Sequence, residues 1–121
     1  MRSAMGLAAI GLLVGATAAT AGPRLAPNEI QATFFTGVPF TATSTSGSTK
    51  FKMIFTTDGK ASREPVGRSG EKNEGTWTLS KEGYCTTWKG GKQNCFVVIT
   101  TSDNKWQVMR GTTAIAIWTK Q

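Results

Sequence analysis

Residues 84–99 read YCTTWKGGKQNCFVVI. Two runs rich in aromatic and β-branched residues flank a Gly90-Gly91 pair, which is the pattern of a β-hairpin. With Lys89-Gly90-Gly91 as the loop, Trp88 faces Lys92 and the numbers of every opposed pair sum to 180. Cys85 then lies opposite Cys95, a separation that a disulfide can span. Tyr84 lies opposite Phe96, a favourable aromatic pair. A two-residue Gly90-Gly91 turn would shift the register by one and send the two cysteines to opposite faces. A Cys85–Cys95 disulfide therefore selects the longer loop. One face of the hairpin carries Cys85, Cys95, Val97 and Ile99; the other carries Tyr84, Trp88, Phe96 and Val98. Both are partly apolar, so the aromatic face needs a cover, either the rest of a very small barrel, a helix or a partner.

The same two-residue period runs outward from the hairpin. Upstream, the expected strands are 40–45, 51–55, 60–66 and 76–80, separated by turns at Ser46-Gly47-Ser48, Asp58-Gly59 and Glu82-Gly83. In 51–55 the odd members Phe51, Met53 and Phe55 share a face. Trp77 and Leu79 share a face in 76–80. Gly67 to Gly75 is polar and glycine-rich and reads as a mobile loop. Downstream, Trp106, Val108 and Arg110 alternate with Gln107 and Met109. In 112–119, Ala114, Ala116 and Trp118 lie on one side, with Ile115 and Ile117 on the other. Seven or eight short strands at hairpin spacing predict a mostly β fold: a small antiparallel meander, as a closed barrel or strongly curled sheet. Closure removes exposed edges. Strands of this length fall short of the roughly 9–11 residues of a membrane-spanning β-strand. One short N-terminal helix is expected over 29–35, capped by Asn28 with Gln31 three residues on, and packing Ile30 and Phe34 onto the sheet. Gly22 to Pro27 reads as a flexible lead-in.

Residues 1–21 have the layout of a secretory signal peptide: Arg2, an uncharged apolar run from Met5 to Ala19, then Ala19-Thr20-Ala21 before Gly22. The domain is thus expected to be 22–121. Export to the periplasm or medium agrees with two cysteines held as a disulfide. Without Arg2, 13 Lys and Arg stand against 7 Asp and Glu, a net charge of +6. Such an excess favours acidic partners and also keeps a small protein soluble.

The chain has no histidine. Ser-His-Asp and Cys-His chemistry is excluded, and with two thiols committed to a disulfide a structural zinc site is not expected. The acids fall mostly in turns, and no phosphate-binding loop or cofactor motif is present. Trp88 with Lys89 and Lys92, and Trp106 with Lys105, resemble the aromatic-beside-basic pattern of a nucleic-acid surface, but export argues against that partner. A candidate binding surface joins Trp88, Lys89 and Lys92 at the hairpin tip with Arg68 and Lys72 in the glycine-rich loop, and with Trp106 and Lys105. Trp77, Tyr84, Phe96 and Trp118 are expected as framework.

Gly75-Thr76-Trp77, then Cys85-x-x-Trp88, then Cys95-Phe96, followed by Trp106, resembles an uncharacterised family of small periplasmic proteins of Gram-negative bacteria. The opening 25–30 and the Phe51-x-Met53-x-Phe55 strand match its layout, so the likeness spans nearly all of 22–121. It implies export, a β-rich fold and a hairpin disulfide, with no catalytic residues to carry over. The expected function is a non-catalytic exported envelope protein with a binding or structural role, as an accessory subunit or toward an envelope protein, anionic lipid or glycan. An inhibitor of a secreted enzyme and a small secreted hydrolase or ribonuclease are the alternatives.

Overall fold

The computed structural model describes residues 22–120; the leader reading of 1–21 falls outside them. Eight antiparallel strands close into a barrel in sequence order, each paired with the next and β8 with β1. They are β1 Phe40–Ser44, β2 Lys50–Phe55, β3 Lys60–Pro65, β4 Asn73–Leu79, β5 Tyr84–Trp88, β6 Gln93–Ser102, β7 Lys105–Arg110 and β8 Thr113–Thr119. Among the described residues one helix, α1 Pro27–Phe34, precedes them. Among the described residues no helix is long and apolar enough to cross a membrane.

The hairpin register is the one set by the cysteines. Tyr84 pairs with Phe96, Cys85 with Cys95, Thr86 with Asn94 and Thr87 with Gln93. Cys85 and Cys95 are disulfide-bonded, with Cα atoms 3.9 Å apart, closer than the roughly 4.5 Å of a ladder pair without mutual backbone hydrogen bonds. At the tip the Gly91 N–H donates to the Trp88 carbonyl across 2.8 Å, and Gly90 takes a φ of 81°. The disulfide lies on the outer wall, and the aromatic face turns into the barrel, where Tyr84 and Val98 are buried. The cover for that face is therefore the barrel itself together with α1.

Gly75 shows why the Gly-Thr-Trp motif begins with glycine. It pairs with Trp88, and a Cβ there would come within 2.3 Å of the Thr87 carbonyl oxygen. β4 can reach β5 this closely only with no side chain at that point.

Helix α1 plugs one end. Ile30, Phe34 and Phe35 are almost wholly buried. Phe34 meets Phe40, Trp106 and Trp118 edge-on at 4.8–5.0 Å. Phe35 stacks on Phe55 at 4.7 Å and leans on Trp77 at 4.5 Å. The helix starts earlier than its sequence indicated. Ala26, not Asn28, is the N-cap, and the Ala26 N–H donates to Glu29 Oε1 at 2.7 Å. Pro27 causes the difference, because its fixed φ suits the first helical position. At the other terminus Lys120 Nζ donates to the Thr33 carbonyl at 2.7 Å, a cation placed on the negative end of the helix.

Two segments depart from the loop readings. Pro23 to Leu25 is not a free lead-in. The Leu25 N–H donates to the Val98 carbonyl at 2.8 Å, the Thr100 N–H donates to the Pro23 carbonyl at 3.0 Å, and Arg24 bridges Ile99. β6 outruns β5, and this segment satisfies the leftover backbone groups beyond the Tyr84–Phe96 pair. In the glycine-rich stretch, residues 73–75 belong to β4, so the loop ends at Lys72. Cross-strand pairing with β3 overrides the polar composition there.

Candidate functional site

The meander puts alternate turns at opposite ends of the barrel. α1 fills the end where β1 begins. The other end, ringed by the β1–β2, β3–β4, β5–β6 and β7–β8 turns, opens onto a cavity of ≈ 180 Å³. Its floor is Phe55, Tyr84, Val108 and Trp118. Its upper wall is Phe51, Arg63, Trp88, Phe96 and Ile115, with Ser44 and Thr86 adding hydroxyls.

The strand pattern explains most of this lining. Phe51, Met53 and Phe55 share the inner face of β2, and Tyr84, Thr86 and Trp88 share that of β5. Ile115 reaches the cavity through an irregularity. The β7–β8 register shifts between the Val108–Ala116 and Met109–Ala114 pairs. The bulge breaks the alternation and lets Ile115 line the cavity beside Ala116, whereas strict alternation put the two on opposite faces.

Among the described residues, Arg63 is the one charged side chain in the lining. It pairs with Met53 on the inner face. Its Cζ sits 4.3 Å from the Trp88 ring centroid and 5.5 Å from that of Phe51. Burial lowers its pKa, since a charge is disfavoured away from water. The ion pairs among the described residues lie elsewhere: Arg24–Glu82, Lys52–Glu64 and Lys72–Glu74. Sequence reading missed Arg63 because the β2–β3 register is ambiguous. A two-residue Asp58-Gly59 turn would set Arg63 beside Ile54 on the outer wall. The loop is longer: Thr56 and Lys60 hydrogen-bond, and Gly59 takes a φ of 91°, a three-residue hairpin loop.

The anticipated binding residues divide between the two ends. Trp88 is half-buried in the cavity wall beneath Arg63. Arg68 is exposed at the same end, 5.9 Å from the Phe51 ring. Lys89 and Lys92 are exposed on the adjoining hairpin tip, and Lys72 beside them pairs with Glu74 at 3.8 Å. Trp106 packs on Phe34 at the plugged end, with Lys105 exposed beside it, so this pair is remote from the mouth. Trp77, Tyr84 and Trp118 are buried, and Phe96 is half-buried beside Tyr84 at 5.2 Å between ring centroids. Trp77 also donates its indole N–H to the Thr56 carbonyl at 2.7 Å.

Tyr84 is 3 % exposed. Burial pushes its phenol well above the ordinary value. The sign follows from linkage. An acid whose folded pKa is raised contributes stability that is whole below its unfolded pKa of about 10 and is lost as pH rises toward the folded value. Tyr84 is the single tyrosine, so tyrosinate absorbance reports it alone. We expect no ionisation near pH ~10 while the fold persists, and tyrosinate appearing together with unfolding at higher pH. Reversible ionisation near the ordinary value, with native near-UV circular dichroism, would contradict this placement.

Among the described residues no group of three or more His, Cys, Asp or Glu side chains is arranged to hold a metal ion. Compared with family models, curated proteins and solved structures, the chain matches none.

Proposed function

We propose that this protein is an exported, non-catalytic binding protein of the bacterial envelope, and that its working part is the open end of the barrel. The observation that carries the reading is the cavity itself. A closed eight-stranded barrel has an interior just wide enough to be filled by side chains or to hold one small ligand. Here one half is filled by α1 and the aromatic cluster, and the other half is open. The lining supports binding over turnover. It offers aromatic walls, hydroxyls and one guanidinium, but no carboxylate and no histidine to serve as general base.

Export rests on the composition of residues 1–21 and on the disulfide, which forms in oxidising compartments. The likeness to small periplasmic proteins, carried by Gly75-Thr76-Trp77, Cys85-x-x-Trp88 and Cys95-Phe96, points the same way. The test is the native protein recovered from an expressing Gram-negative host. We expect it in the periplasmic fraction with an N-terminus at Gly22. Material in the cytoplasm that still begins at Met1 would overturn the export reading.

A further inference from the structure

We propose that the barrel mouth selects a monoanion: a carboxylate carried on a small apolar body, with Arg63 as its partner. This rests on the reading of the cavity as a binding site and adds what the site holds.

Three observations converge. First, Arg63 faces inward at the rim, half-buried, with its Cζ over the Trp88 ring and near that of Phe51, and with its ion-pairing capacity unused by any described carboxylate. A guanidinium presents its N–H groups in a planar fork that matches a carboxylate bidentately. A half-buried charge over aromatic rings is less well hydrated than one in open water, so an anion beside it interacts more strongly. Second, the turns around the mouth are basic. Lys50, Arg68, Lys89, Lys92 and Arg110 are exposed there without ion-pair partners among the described residues, and Lys72 pairs with Glu74. Glu71, in the same turn as Arg68, and Glu74 offset part of that charge, and the remaining excess of Lys and Arg around the mouth favours anions. Third, the dimensions limit the body. A cavity of ≈ 180 Å³ is slightly larger than the ~150 Å³ apolar cavity that takes up benzene. One cation in the lining suits one negative charge, which excludes a buried dianionic phosphate on desolvation grounds. Deeper in, the Tyr84 hydroxyl and Thr86 are buried polar groups beside the cavity floor.

Two ligand sources share this chemistry: a free aromatic acid, and the short acyl chain of a fatty acid. The experiment is calorimetric titration of the purified protein with benzoate and octanoate, each against its neutral isostere, benzamide or octanol, with octylamine as the cationic control. Trp88 indole shifts, followed by NMR, place the binding. We expect the better carboxylate to bind roughly tenfold tighter than its neutral isostere, as for a charge-assisted hydrogen bond in a partly buried site, and octylamine not to bind. Whichever carboxylate binds tighter names the source. Arg63→Gln should abolish the preference for the carboxylate over its neutral isostere. Arg63→Lys, which keeps the charge without the fork, should retain part of it. Equal binding of neutral and anionic probes, or a preference that survives in Arg63→Gln, overturns the anion proposal while the cavity reading stands. Failure of every probe to shift Trp88 overturns both.

Discussion

Replacing Phe35 with alanine is expected to remove about 3–5 kcal/mol of stability, the range for deleting a buried aromatic ring. Phe35 is fully buried, and its ring lies 4.7 Å from Phe55, 4.5 Å from Trp77 and 5.5 Å from Tyr84. Phe34 meets Phe40, Trp106 and Trp118 on β1, β7 and β8, and Phe35 carries the contacts to β2, β4 and β5. The helix has only 8 residues and would be marginal alone, so its persistence depends on what it buries. A domain of this size has about 5–15 kcal/mol in total, and the loss would be a large fraction of it. Urea unfolding followed by tryptophan fluorescence should show a lower midpoint with a similar slope. A loss under about 1 kcal/mol, within the range of a typical surface or tolerated change, would mean that the barrel stands without its plug.

Removing the disulfide through Cys85→Ala with Cys95→Ala is expected to cost about 3 kcal/mol, from the closure entropy of a ring with a sequence separation of 10. That corresponds to a fall in Tm of roughly 10–20 °C for a domain of this length. The bond lies on the outer wall, with Cys85 buried and Cys95 exposed, so the double variant leaves no hole in the core. The effect should therefore reside in the unfolded chain, with Tyr84 and Phe96 still in register. Amide exchange in β5 and β6 measures this. Register loss in the variant, seen as wholesale change of the Tyr84 and Phe96 signals, would show that the bond imposes the pairing and does not merely secure it.

The barrel was legible because three constraints act at short range and agree. A cysteine pair and a glycine pair within 84–99 fix one register, the period-two pattern repeats on both sides of it, and closure disposes of the edges. The helix was legible from Ile30 and Phe34, but its start was not, because Asn28 and Pro27 offer competing signals and the proline prevails. Other features depend on partners distant in the chain. Pro23 to Leu25 takes up a strand position only because β6 extends past β5, and nothing local to those residues announces that. The site was legible in part. Trp88 and Arg68 lie at the mouth, but Trp106 belongs to the opposite end, which no spacing along the chain reveals. Arg63 and Ile115 owe their places to a hairpin loop one residue longer than its Asp58-Gly59 signal suggests and to a bulge in β8. Each is a one-residue offset, and each reverses which way a side chain faces.

The most direct test of the account is where a small apolar probe sits, irrespective of its charge. Toluene added to labelled protein should give intermolecular nuclear Overhauser effects to the rings of Tyr84, Trp88 and Phe96, and none to Trp106. Contacts confined to Trp106, to the outer wall, or to no residue at all would contradict a barrel that receives its ligand through the end opposite the helix.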